Sequence, residues 1–573
     1  MIQDSNGPRP HLKDLFLPGL AAGILLIALG PLFLRLPVTN DAVLYDLEAR
    51  WMKAGVLPYR DIVEANFPGV LVIHSLTRSS LGESNEALRI VDLTIVCTML
   101  LLLLACVVKG TGSYRFGGWS AVFGLLFYLS LSEWCHCQRD IWLLLPAVGG
   151  CLLRILQVQR QATATSAKIF VHSLIEGCVW GLGIWLKPHL LIVCVVVWVM
   201  SIFMIQGWKR KAIDGSGLLA GGVIMGAIGL WSLMRLGALE AFLVSLREWN
   251  PGYLEARSQN WTLARYKVMN IILAPWTLLH LVAIPLSSLS VSRYLLEQFA
   301  LPLAREERIS LVKMLFATRQ NLQTNSKDAL QPAARNDQAF VRALLSAVYL
   351  FWLLQAHFLQ HLFDYVHIPA ILLSIGVLGV HAGQYRLLRT PAILLPLILL
   401  GLWRSPFTDA NQMRLWEPAT QGDLTPAETE SLARLPNPKW EDLAEIESFL
   451  RDQNVHERDV LMFNSDLVTL YWNLNLTSPT PYVYLFELQN YFPERKELID
   501  AAMINGPQKF VITDLVSCGM PSRSAEEIGP EGPLAPPPGY TRANLKAYPW
   551  SEPVVFRSGR YLVHKVRTEP VSE

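Results

Sequence analysis

The chain is 573 residues long, 52% hydrophobic and only 17% charged, with a mean hydropathy of +0.31. A soluble domain carries about 25% charged residues, so an ordinary soluble protein is excluded. The 49 Lys and Arg against 47 Asp and Glu leave a net charge of +2, which excludes a nucleic-acid binder that works through bulk charge.

The apolar runs require a polytopic α-helical membrane protein. The first, 15–34, is long enough to span and lacks a small-residue cleavage site, so it reads as a first transmembrane helix rather than a signal peptide. Further runs at 89–108, 116–132, 140–157, 170–187, 189–206, 216–236, 268–289, 339–356, 367–382 and 391–403 bring the expected total to about eleven. With the N-terminus inside, the inner turns carry Lys109 and Arg115, Arg160 and Lys168, Lys209 to Lys211, the basic segment 291–338, and Arg386 with Arg389. That recurrence follows the positive-inside rule and puts everything after Arg404 on the outer face. The expected domains are therefore a membrane part, 1–403, with a first outer loop at 35–88 and a cytoplasmic segment at 291–338, and an extracytoplasmic soluble α/β domain, 404–573.

Within that last region Thr425-Pro426-Ala427-Glu428 is a capping-box sequence with Pro at the first helical position. Helices are expected at 440–453, 466–473 and 494–504. Strands are expected at 460–463, 482–486 and 510–514, followed by a Pro/Gly-rich loop, 517–540, and a hairpin at 553–566. Five of the eight cysteines sit in apolar runs as small buried hydrophobes. Cys135 and Cys137 flank His136 without enough further ligands nearby for a metal site, and Cys518 stands alone. No dinucleotide fingerprint, P-loop, zincin motif or nucleophile elbow occurs.

Chemistry is concentrated at helix ends on one face. Asp41, in Thr39-Asn40-Asp41, follows the first helix closely, where a charge is costly unless used or paired; the alternative is a helix N-cap. The loop continues through Pro58-Tyr59-Arg60-Asp61 and Asn66-Phe67-Pro68-Gly69. Arg139-Asp140 precedes another run, as an interfacial ion pair or a functional acid. Lys187-Pro188 ends a helix, where the lysine either snorkels or binds an anion. His357, Gln360, His361, Asp364, Tyr365 and His367 crowd the loop before the tenth run. They read as polar lining for a pocket, as ordinary interfacial side chains, or, through His357 and His361, as a metal pair.

An Asp after the first helix, then A-x-x-x-x-x-G-x-x-P-Y-R-D and N-x-P-G, resembles the first outer loop of the GT-C superfamily. These integral-membrane glycosyltransferases use polyprenyl-phosphate sugars and include protein O-mannosyltransferases and lipid A aminoarabinose transferases. The resemblance extends to Leu81-Gly82, Ala87-Leu88-Arg89, Gln138-Arg139-Asp140, and the glycines and Lys187-Pro188 of 181–188. A Lys-Pro-Pro pattern of the aminoarabinose transferases is absent, with Asn66-Phe67-Pro68-Gly69 in its place. The resemblance implies a GT-C-like fold, Asp41 and Asp140 as catalytic acids, and substrate-binding roles for Tyr59, Arg60, Asn66, Arg139, Lys187, Gln360, His361 and Tyr365. Asp41 would be the general base, and Arg60, Lys187 and His361 would meet the phosphate. It also implies a polyprenyl-phosphate-sugar donor, a glycan, lipid or protein acceptor, a bilayer setting in the plasma membrane, and no required cofactor or metal. The alternatives are a lipid-linked-sugar flippase, which should instead carry mid-helix charges and inverted repeats, and an envelope-polysaccharide assembly protein led by its C-terminal domain.

Overall fold

In the computed structural model, residues 12–161, 163–260, 262–299, 332–390, 398–518 and 548–567 are described. Among them eight helices are long and apolar enough to cross a membrane: Lys13–Arg35, Asn85–Thr111, Arg139–Arg160, Ser166–Leu186, Trp208–Leu236, Trp276–Phe299, Asp337–Phe358 and Asp364–Ala382. Such segments bury every backbone polar group internally, which is what a bilayer demands of them. The chain is a membrane protein with a helical bundle and a small C-terminal sheet.

Two of the eleven expected spans are shorter helices, Tyr114–Leu129 and Leu190–Ile202. The expected run 268–289 breaks. One helix ends at Ile272, and the spanning helix starts beyond Pro275, a residue that lacks the backbone N–H a continuous helix would use there. The expected run 391–403 and the segment 291–338 lie largely outside the described residues. The helices Ser166–Leu186 and Trp208–Leu236 touch backbone to backbone. A Cβ on Gly177 would lie 2.1 Å from the Leu218 carbonyl oxygen, and one on Gly221 would lie 2.1 Å from that of Leu174. Small residues at such crossings replace the missing hydrophobic driving force with close packing.

The segment 35–88 after the first spanning helix folds into two helices, Asn40–Lys53 and Gly69–Leu81. Asp46 clamps them together, accepting from Arg78 and pairing with His74 Nδ1 at 2.7 Å, all three buried.

In the C-terminal region the capping box forms at Thr425 and Glu428, and helices run over Trp440–Asp452 and Lys496–Ile504. The strands β1 (Val460–Met462), β2 (Phe510–Asp514), β3 (Val554–Ser558) and β4 (Tyr561–Lys565) make a sheet ordered β1-β2-β4-β3. β1 and β2 are parallel, and the other pairs are antiparallel. Alternation along the strands serves both faces. Val460, Met462, Phe510 and Ile512 cluster with Leu443, Ile446 and Leu450, while Leu461, Val511 and Leu562 cluster with Ile499 and Met503. The expected strand at 482–486 does not form. Thr480 Oγ1 both accepts from the Tyr482 N–H and donates to its carbonyl oxygen, and a short helix, Leu485–Tyr491, follows at once. Those local bonds occupy the groups a strand would offer to a neighbour. Most of the 517–540 loop lies outside the described residues.

The C-terminal region is tied to the 35–88 segment and to the bundle. The Val63 N–H donates to the Pro481 carbonyl (2.9 Å), Trp51 Nε1 to that of Leu476 (3.0 Å), and the Arg50 guanidinium stacks 3.4 Å from the Trp472 ring centre. Buried Glu133 receives the backbone N–H groups of Arg434 and Leu435, each at 2.9 Å, and the Arg434 guanidinium donates to the Ser130 carbonyl.

Candidate functional site

Where these parts meet there is a cavity of about 470 Å³, within the roughly 300–1,000 Å³ typical of small-molecule sites. Asp41, Glu64 and Asn66 reach it from the 35–88 segment, Arg139 and Tyr365 from bundle helix ends, and Tyr484 and Glu487 from the C-terminal region.

Asp41 owes its place to a sharp turn. Asn40 takes a left-handed conformation (φ +45°), which Asn tolerates better than most residues, and the helix Asn40–Lys53 begins there. Thr39 holds the cap position, no side chain caps this helix, and the Asp41 carboxylate instead accepts from the Tyr365 hydroxyl at 3.1 Å. The capping alternative therefore does not hold. Burial raises the Asp41 carboxyl to about 6, against the opposing pull of Arg139 and the Tyr365 hydrogen bond. Beside it, Glu64 accepts from the Asn66 N–H at 2.5 Å and backs onto Glu48, which is fully buried. Burial, reinforced by Glu64, pushes the Glu48 carboxyl well above the usual range.

The cationic side is layered. Arg139 lines the cavity, and among the described residues its guanidinium makes no hydrogen bond; its nearest carboxylate is Asp140, at 4.0 Å. Asp140 lies behind it, buried, with Oδ1 2.5 Å from Lys187 Nζ, which also donates to Gln360 Oε1. Asp140, Lys187 and Gln360 thus form one triad that backs the cavity without lining it. Its position sets the field around Arg139.

Other expected substrate contacts divide in two. Asn66 lines the cavity, and its side chain donates to the Tyr45 hydroxyl at 3.1 Å. Its loop is shaped by Tyr59, whose hydroxyl donates to the Asn66 carbonyl at 2.7 Å while its ring packs on Phe242. Tyr59 is a buried support with φ +66°, an uncommon conformation for a bulky residue, rather than a cavity contact. Gly69 completes this loop's packing, because a Cβ there would lie 2.6 Å from the Trp185 carbonyl oxygen. Arg60 does not reach the cavity. It is exposed and paired with its neighbour Asp61 at 2.7 Å. His361 is buried, its Nε2 bonded to the Tyr253 carbonyl (3.1 Å) and its ring stacked on Phe363. Burial lowers it to about 4, so it is neutral and no partner for a phosphate charge. Near the cavity, Cys135 Sγ contacts Asp364 Oδ2 at 3.4 Å while His136 bonds the Tyr128 carbonyl, so these neighbours serve different partners.

Sequence reading missed Glu64, Tyr45, Trp134, Tyr253, Tyr484, Glu487 and Tyr491 on the cavity wall. Glu64 stands in the loop that carries Asn66, and its acidity was the available signal. Tyr484 and Glu487 fell in and beside an expected strand, where nothing marks them out. The assembled site sets a carboxylate of raised proton affinity opposite a guanidinium with free donors, within an aromatic enclosure. It can accept a proton from a hydroxyl and stabilise a departing anion. No protein-family model matches the chain, and no curated protein matches it.

Proposed function

We propose that the chain is a GT-C-type glycosyltransferase that moves a sugar from a polyprenyl-phosphate donor to an acceptor hydroxyl at the outer membrane surface. The reading includes an inside N-terminus, about eleven spans and an extracytoplasmic C-terminal domain. The observation that carries it is the meeting of Asp41 and Arg139 in one cavity at the bundle's end. The two residues lie 98 positions apart, in the first-loop and third-loop segments where the superfamily resemblance puts its acids.

In this mechanism Asp41 takes the proton of the acceptor hydroxyl as its oxygen bonds to the anomeric carbon. The bond from that carbon to the phosphate oxygen breaks, and the electron pair leaves with the polyprenyl phosphate. Arg139 neutralises the departing charge, with Lys187 behind it, since a desolvated phosphate needs charged donors. Asp140 positions Lys187, and Tyr365 orients Asp41.

The test uses the full chain in nanodiscs with a panel of polyprenyl-phosphate sugars. Release of polyprenyl phosphate that depends on an added envelope extract supports the reading; no release from any donor defeats it. Reporter fusions after Arg389 and Glu573 should lie on opposite sides of the membrane, and reporters on the same side defeat the topology.

A further inference from the structure

The roof of the cavity holds two polar groups with nothing to bind. Tyr484 Oη and Glu487 Oε2 are both shielded from solvent, both belong to residues that line the cavity, and neither has a hydrogen-bond partner among the described residues. The other oxygen of Glu487 is fixed, accepting from Ser465 Oγ at 2.6 Å, so the carboxyl plane is set and Oε2 is left over. An unsatisfied buried hydroxyl or carboxyl costs about 1–3 kcal/mol, so a folded protein that keeps two side by side in a cavity has a use for them.

From this pair we infer that the C-terminal region builds an acceptor subsite for a saccharide, with Glu487 and Tyr484 binding hydroxyls next to the one that reacts. The inference rests on the glycosyltransferase reading and names its acceptor class. Two features select a sugar, and two alternatives fit worse. A carboxyl and a phenol together accept from and donate to hydroxyls, the only polar groups a neutral sugar offers in number. The C–H faces of a sugar ring pack on aromatic rings, and Tyr253, Tyr491 and Trp134 supply them on the same walls. An anionic acceptor would meet the Glu487 carboxylate. A peptide held by strand addition would need an open sheet edge, and the edge strands β1 and β3 do not line the cavity. Burial raises the Glu487 carboxyl to about 7, so near neutral pH it serves as donor or acceptor.

The experiment uses the full chain in nanodiscs, wild type against Tyr484→Phe and Glu487→Gln. Each variant is nearly isosteric, and Gln still accepts from Ser465, so folding is preserved and checked by melting temperature. Two ligands are titrated separately: undecaprenyl phosphate, and a panel of neutral oligosaccharides of one to four residues. Wild type should bind members of the panel, each variant should bind them about tenfold or more weakly, and undecaprenyl phosphate should bind all three proteins equally. Undecaprenyl-phosphate binding with no saccharide binding overturns the acceptor subsite and leaves the donor reading standing. So does saccharide affinity unchanged in both variants, or a Ser/Thr-rich peptide that binds in place of sugars. Absence of undecaprenyl-phosphate binding in the wild type removes the reading on which the subsite rests.

Discussion

Replacing Asp41 by Asn separates chemistry from architecture. Lifting a carboxyl from 3.8 to about 6 sets roughly 3 kcal/mol against its ionised form at neutral pH, an upper bound because Asp41 is only half-buried. The amide removes that penalty. It still accepts from the Tyr365 hydroxyl, losing only the charge assistance, about 1 kcal/mol. The variant should therefore melt at the wild-type temperature or above it, while a base-dependent step slows about 10²–10⁴-fold. The pH dependence follows the same group. Ionised Asp41 is the active form, so the wild-type rate should climb as pH rises through about 6. Because the folded state holds this proton more tightly than the unfolded chain, Asp41 adds stability as pH falls from about 6 toward 3.8. The Asn variant should lack both effects. Transfer of labelled sugar from a polyprenyl-phosphate donor, with melting curves beside it, is the assay. Near-wild-type turnover in the Asn variant, or a large loss of stability without loss of rate, would refute the assignment.

Three further outcomes follow from the cationic side. Arg139→Ala removes a guanidinium with no hydrogen bond to lose among the described residues, so polyprenyl-phosphate affinity should fall about tenfold or more, with little change in melting; equal affinity would return Arg139 to interfacial pairing. Lys187→Met strands a buried carboxylate on Asp140 and should cost ~3–5 kcal/mol, much of it regained in the Asp140→Asn, Lys187→Met double variant. Thermal melts of the three proteins in detergent check this, and purely additive losses would show that the triad is not coupled. Arg60→Ala should be silent in both transfer and melting, because the side chain is 60% exposed and, among the described residues, paired only with Asp61; a tenfold loss of donor affinity would put it back at the phosphate.

How much of this was legible in the sequence depends on the range over which the signal acts. Apolar runs of spanning length are local and self-evident, and eight of the expected helices stand as long apolar helices. The capping box at Thr425 and the alternation in β1, β2 and the final hairpin are local as well, and all form. Residues 482–486 carry strand-like composition, yet side-chain bonds from Thr480 turn the chain into a helix, a choice that hydrophobic pattern alone does not reveal. The site divides the same way. Asp41, Arg139 and Tyr365 stand in the first turns of helices and Asn66 in the loop before one, where polar residues stand out against the apolar runs, and the cavity collects all four. Arg60 looked equivalent in sequence but is taken up by its neighbour, and His361 is buried and neutral. Tyr484 and Glu487 arrive from more than 400 residues beyond Asp41, and only the docking of the C-terminal region brings them in.

Pairing sets two structural clusters of ionisable groups apart from the cavity. Arg154 is ion-paired to Glu176 at 2.7 Å and to Asp214 at 2.8 Å, with Gln157 and Ser173 also donating to Asp214, and all five are buried. Such a cluster fixes three bundle helices to one another. Asp46 is likewise occupied by Arg78 and His74, joining the two helices of the 35–88 segment. The cavity has the opposite character. Asp41 keeps one hydrogen bond, Arg139 none, and Tyr484 and one oxygen of Glu487 are unpartnered among the described residues. A buried charge that is fully paired has its energy settled in the folded state, whereas one left short of partners gains only when something binds. That contrast sets the cavity apart from these two clusters, and it makes Asp41, Arg139, Tyr484 and Glu487 the four positions at which substitution should change ligand handling more than folding.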